Sequence, residues 1–294
     1  DWANLSISHD AFLLKYMDKN KKIDWHLGVA FNQQSELLSG TAYTLKNYKA
    51  LGFTWVKKQI NKANSISALA VVNGMTSIVP TSKSMKATFT IGPIYNYNKN
   101  GWKALLGGYY QGGKNENNLN VSSFMINSFI EKRHKKFSVG LGYDYLSGNS
   151  DKTKADDYHS FNTLYATNHK FYGYMDYFLN IPGDTKQRGL RDFYLRIGYY
   201  PTKKISTIVD VHSMSFAHYN RLGAKAIENT AATETDLIFD YKINPIIGMQ
   251  IGYSMLFGTN NLELVKGGKA NTYTSWAFVM LKVTPVLFHH KLND

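Results

Sequence analysis

The chain contains no cysteine. That excludes a disulfide framework and every cysteine-based metal or redox centre. Proline is scarce, with 6 in 294 residues. No apolar run approaches the roughly 20 residues that a transmembrane helix needs. Asp1 is preceded by neither an initiator Met nor a signal peptide, so a mature or truncated chain is expected. No RNP-like, helix-turn-helix or zinc-finger pattern occurs, and no G-x-S-x-G nucleophile elbow. The net charge is +13 and the pI is near 9.5, which raises nucleic acid as a partner. The basic residues instead sit in short links, as at Lys19, Lys21 and Lys22, or Lys132, Arg133, Lys135 and Lys136. Charge in a turn keeps the turn in water and needs no partner, so no nucleic acid is expected.

Aromatic residues, by contrast, are abundant, at 14%, with 21 Tyr, 16 Phe and 5 Trp. The stretch 137–149, FSVGLGYDYLSGN, shows how they are arranged. A strand sends alternate side chains to opposite faces. One face then carries Phe137, Val139, Leu141, Tyr143 and Tyr145, and the other Ser138, Gly140, Gly142 and Asp144. The same alternation recurs at 23–32, 85–97, 192–200, 233–242 and 246–257. It is less clean at 51–57, 102–111 and 205–216, and noisy at 5–16, 65–74, 120–131 and 272–284. That makes about 13 strands of about ten residues, longer than most soluble strands and suited to tilted membrane strands. Aromatics at segment ends (Trp55, Tyr95, Tyr97, Trp102, Tyr199, Tyr241, Trp276) fall where interfacial girdles lie. Glycines on the polar face suit curvature and an uncrowded lumen wall.

The connections alternate in length. Short ones at 18–22, 58–64, 98–100, 132–136, 201–203 and 242–245 alternate with longer ones at 33–42, 75–84, 113–119, 148–189, 219–231 and 258–271. Short turns at one rim and long loops at the other mark a bacterial outer-membrane barrel. Lipid supplies no hydrogen bonds, so a spanning sheet must close. The expected fold is all-β: one transmembrane antiparallel up-and-down barrel domain over 1–294, in the outer membrane of a Gram-negative bacterium, against its lipid and lipopolysaccharide. Phe137 to Tyr145 would face lipid and Ser138 to Asp144 a wet lumen. A soluble sandwich or lipocalin-like barrel would need a second sheet to cover the apolar face. An odd strand count puts one terminus at the wrong rim, so strands are expected to be missing on the N-terminal side or supplied by another chain. The strands near 5–16 and 272–284 should then not pair.

The stretch 159–178, HSFNTLYATNHKFYGYMDYF, goes beyond alternation. With Gly142 to Gly148 before it, and Phe161, Leu164, Tyr165, His169, Lys170, Phe171, Gly173, Asp176 and Phe178 within it, the chain resembles the alginate-export family of outer-membrane barrels. Asp1, Trp2 and Ser8 to Ala11 resemble the middle of such a protein, and Trp276 to Pro285 its last strand. The resemblance implies an 18-stranded barrel with an electropositive pore associated with export of an anionic polysaccharide. The mixed inward charge here makes a general anion or oligosaccharide channel the safer expectation.

Parity turns Lys46, Lys86, Lys103, Arg196 and Lys242 inward, with Asp24, Asp144, Asp192, Asp210, Asp236 and Asp240. These are the expected pore-lining residues. Opposed rings of charge would set a transverse field that selects solutes. The alternative is a plugged lumen whose charges pair across strands. His159 and His169, with Asp156, Asp157 and Asp176, raise metal or catalysis, but spacing shows no nucleophile. The simpler expectation is that 148–189 folds into the pore as a constriction formed by His169, Phe171 and Asp176. Aromatic residues in that segment need cover, and a connection this long tends to be functional or disordered. No catalytic residue, metal or cofactor is expected. The functional expectation is a passive channel for small solutes, anionic ones included, or for saccharides. The runner-up is a non-conducting barrel serving as scaffold or accessory subunit of a larger outer-membrane complex.

Overall fold

The computed structural model describes residues 9–32, 35–38, 41–44, 48–79, 84–166, 171–218, 220–222, 225–270 and 272–286. Among them, thirteen long strands form one continuous antiparallel sheet in which each pairs with its sequence neighbours. They are β1 (Phe12–Asp18), β2 (Ile23–Phe31), β3 (Ala50–Gln59), β4 (Asn64–Thr76), β5 (Met85–Lys99), β6 (Trp102–Lys114), β7 (Asn120–His134), β8 (Phe137–Leu146), β9 (Leu190–Tyr199), β10 (Ile205–Ser215), β11 (Thr230–Lys242), β12 (Ile247–Gly258) and β13 (Thr274–Val283). Two small hairpins, 35–44 and 220–227, rise from the long-loop rim, and Asp157–Tyr158 adds a short parallel bridge to β7. Among the described residues no ladder joins β1 to β13, so the sheet has two edges.

The register follows from the alternation. Leu141 lies opposite Ile130 of β7 and Leu195 of β9, so apolar side chains meet apolar ones on the outer face. Phe137, Val139, Leu141 and Tyr143 remain 38–59% exposed, while Ser138 and Asp144 between them are buried. Trp25, Leu27, Phe89, Ile251 and Tyr253 share this outer, exposed face. Leu195 belongs to it too, between the exposed Phe193 and Ile197. A continuous exposed apolar band of this kind has no use in water. It is the outside of a membrane barrel.

Three expectations need correction. The connection expected at 113–119 shrinks to 115–119, because β6 runs on to Lys114. Trp55 and Trp276 are not girdle residues. Trp55 lies opposite His26 and Leu69 on the inner face, its ring 5.1 Å from the imidazole, and Trp276 stacks on Phe278 at 4.9 Å. The inner wall is also not uncrowded at most of its glycines, Gly248 excepted. A Cβ on Gly142 would overlap the Tyr194 ring of β9, and one on Gly252 would overlap Phe278 of β13. Each glycine lets a neighbouring inward aromatic lie flat across its strand, so there the small residue is a seat for a ring.

The packed core is not in the lumen but at the long-loop mouth. Leu146, Phe161, Tyr172, Phe178, Ile181, Leu190, Met214, Phe216 and Leu256 pack there, joined by Leu262 and Val265 of a short helix, Asn260–Lys266. Thr259 caps that helix by accepting from the Asn261 and Leu262 N–H groups. Lys266 then ties it to Asp184 of the long segment at 2.6 Å.

Candidate functional site

The connection between β8 and β9 folds inward over the sheet and bonds to walls far apart in strand order. On one side, the Tyr165 hydroxyl donates to Asn73 Oδ1 of β4 at 2.6 Å. Next along, Gln111 of β6 clamps Asn162, donating from Nε2 to its carbonyl at 2.8 Å and accepting its N–H at 2.8 Å. On the far side, the Met175 N–H donates to Glu234 Oε1 of β11 at 2.7 Å, and Tyr174 stacks on Phe278 of β13. The described parts of the segment thus bond to β4 and β6 on one side and contact β11 and β13 on the other. Gly173 makes the far contact possible. Its φ of 81° is open chiefly to glycine, and a Cβ there would collide with the Glu234 carboxylate.

Burial pushes the Tyr165 phenol up to about 12, with Tyr48 adding to the effect, and drives Tyr172 well above the ordinary tyrosine value, with Asp144 and Asp192 adding to it. His159 is structural. Its Nδ1–H donates to the Ser122 carbonyl at 2.8 Å, and its own carbonyl accepts from Ser147 at 2.7 Å. Among the described residues no group of His, Asp and Glu has the arrangement of a metal site.

Of the residues expected to line the pore, Lys46 lies outside the described residues, as does His169 of the expected constriction. The others fall on the inner face by register. Lys86 stands opposite Met75, and Lys242 opposite Gly248 at the short-turn rim. Asp24 pairs with His26 at 3.0 Å. Lys103 pairs with Glu131 at 3.2 Å. Arg196 grips Asp210 with two bonds of 2.7 Å. Asp240 accepts from Gln250 at 2.8 Å, and Asp192 pairs with His212 at 2.8 Å. Asp144 lies opposite Asp192, and Asp236 opposite Asp210. Phe171 is at the inward segment, 42% exposed, and Asp176 takes a left-handed turn, φ 61°, between Met175 and Tyr177.

Among the described residues the charges form no opposed rings: Lys103–Glu131, Arg196–Asp210 and Asp192–His212 pair between adjacent strands, and Asp24–His26 within one. Carboxylates gather on β8–β12, where Asp144, Asp192, Asp210, Glu234 and Asp236 are buried, with Arg196 on Asp210 and His212 on Asp192. The pore-lining set expected from sequence leaves out Glu131, His212 and Glu234. Glu234 was legible as inward by parity with Asp236. Glu131 and His212 lie in strands whose alternation is noisy or less clean, and only the register places them.

No family model and no curated protein matches the chain. Solved structures do. Outer membrane protein OprD from Pseudomonas aeruginosa superposes with a TM-score of 0.60 at 13% identity, over 95% of this chain and 69% of that one. Acinetobacter baumannii OccAB4 gives 0.56 at 12%, over 96% and 69%. Pseudomonas aeruginosa OccK5 (OpdH) gives 0.56 at 9%, over 93% and 70%. These matches lend no support to the narrower alginate-export resemblance. What they share with this chain is architecture: its fold is the all-β, up-and-down barrel of outer-membrane porins.

Proposed function

We propose that this chain forms the wall of a passive outer-membrane channel for small solutes, narrowed by its 147–189 segment. The observation that carries the proposal is the crossing itself. A loop bonded to β4 and β6 on one side and to β11 and β13 on the other lies where a solute would have to pass. A lipid-facing outer band and a polar, charged inner face complete the picture of a porin. The inner-face residues Lys86, Lys103, Arg196, Lys242, Asp24, Asp144, Asp192, Asp210, Asp236 and Asp240 are assigned to the wall of this passage, with Phe171 and Asp176 at its narrow point.

Alginate export gains nothing from the wall chemistry. Carboxylates outnumber basic groups on β8–β12, and Arg196 and His212 there are each already engaged by a carboxylate, so the wall offers no basic stripe for a polyanion. Two free edges in lipid would each leave backbone groups unpaired at several kcal/mol apiece. We therefore assign closure of the wall to strands additional to these thirteen. Planar-bilayer recording of the purified protein, with reversal potentials in a salt gradient, tests the function. Stable unit steps are expected. Silence from folded, inserted protein would favour a non-conducting scaffold within a larger outer-membrane complex.

A further inference from the structure

The outer face gathers basic groups at the long-loop rim, at the upper edge of the lipid-facing band. Arg191 of β9 lies opposite Tyr145 of β8 and Ser215 of β10, which puts it on the outer face by register. Its guanidinium is held twice. Nη2 donates to the Ala217 carbonyl at 2.8 Å, and the group lies over the Tyr145 ring, 5.7 Å from its centroid. Tyr145 in turn stacks on Phe124 of β7 at 5.3 Å, and Phe124 is exposed. Phe193, two residues after Arg191 on the same face, is exposed as well.

Two imidazoles belong to the same place. His218 follows Ala217, and its backbone N–H is fixed on the Arg188 carbonyl at 3.2 Å. His159 comes from the β8–β9 connection and rests on β7, its Nδ1–H committed to the Ser122 carbonyl. That bond leaves Nε2 for a ligand. Arg191, His159 and His218 are each half-buried, so a group at the rim can reach them. Burial holds the His218 imidazole below the ordinary histidine value, and Arg191 and His159 add to that. Cationic groups gathered in a half-buried place carry a cost that an anion removes.

We propose that Arg191, His159 and His218 form a seat for a phosphate of the outer-leaflet glycolipid, lipopolysaccharide, whose acyl chains then lie along Phe124, Tyr145 and Phe193. The long-loop rim is the extracellular one in barrels of this class, so the headgroups at this height belong to the outer leaflet. The guanidinium fork matches phosphate oxygens, and its place over Tyr145 orients it in advance. A phosphate also favours the imidazolium form of both histidines, and each then adds a charge-assisted hydrogen bond. A free phosphate ion would use the same three groups and nothing beneath them. The exposed aromatic surface directly below the cations favours a lipid as the occupant. The site does not depend on conduction, and a non-conducting scaffold would keep it.

The test titrates the purified protein, in detergent and stripped of co-purified lipid, with three probes: diphosphoryl lipid A, the same lipid with both phosphates removed, and inorganic phosphate. Native mass spectrometry counts what is bound. Lipid A should bind at least about tenfold more tightly than its dephosphorylated form, and inorganic phosphate more weakly than lipid A. Arg191→Gln should lower lipid A affinity by about tenfold. His218→Gln leaves both anchors of Arg191 in place and should lower it by about threefold, so it serves if the first variant does not fold. Heat-modifiable gel migration confirms a folded barrel in each. Lys203→Gln, in a short turn at the opposite rim, should change nothing. Equal binding of the two lipids would overturn the proposal. So would inorganic phosphate binding as tightly as lipid A, or a lipid A affinity that neither site variant lowers more than Lys203→Gln does.

Discussion

Leu141 and Gly142 are neighbours in sequence and opposites in environment, and each makes a prediction. Leu141 projects outward, 45% exposed, between Ile130 and Leu195. Leu141→Arg should cost about 2–4 kcal/mol if the residue sits near the bilayer midplane, measured by urea titration of folding into lipid vesicles. Asp144→Asn, three residues on but facing inward, should cost far less, since it removes one carboxylate from a crowded acidic wall. Equal costs would mean that the register is wrong. Gly142→Ala would drive a Cβ into the Tyr194 ring. Overpacking of this kind costs about 1–3 kcal/mol, and Tyr194→Leu in the same chain should recover most of it. Failure of that rescue would show that Gly142 serves strand curvature and not the ring.

At the scale of the element, the β8–β9 connection decides most of the behaviour. It is held by a hydrophobic knot around Phe161, Tyr172 and Phe178, and by polar anchors at Asn73, Gln111 and Glu234. Removing residues 155–175 should therefore raise single-channel conductance. Glu234→Ala deletes only the far anchor, freeing the Met175 N–H and the seat of Gly173. Its conductance should be intermediate and noisier, because the knot at the mouth remains. Unchanged conductance in both folded variants would mean that the segment lies beside the solute path instead of across it.

For the whole molecule, the two sheet edges raise the sharpest question. β1 and β13 each pair on one side only among the described residues. Adjacent strands bring Cα atoms within about 5 Å. Because the chain has no native cysteine, spin labels at Leu14→Cys and Val279→Cys can report the gap in the reconstituted protein without background. A separation well beyond about 15 Å is expected, since intervening strands add about 5 Å each. A separation typical of neighbouring strands would show that these thirteen strands close on themselves.

Sequence alone determined the all-β class, the thirteen strands, the rims and the face on which each clean strand's residues lie. Alternation with period two is a local property, written within ten residues and needing no partner to be read. It also marked the β8–β9 connection, because its aromatic residues demand cover that a solvated loop cannot provide. What faces what across the sheet was decided only by the tertiary structure. Trp55 looks like a girdle residue until the register sets it against His26 and Leu69. The inward glycines look like open space until neighbouring rings fill them. The charged residues look like opposed rings until Arg196 is found on Asp210 of the next strand. Such pairings are set by long-range contacts that no local pattern encodes.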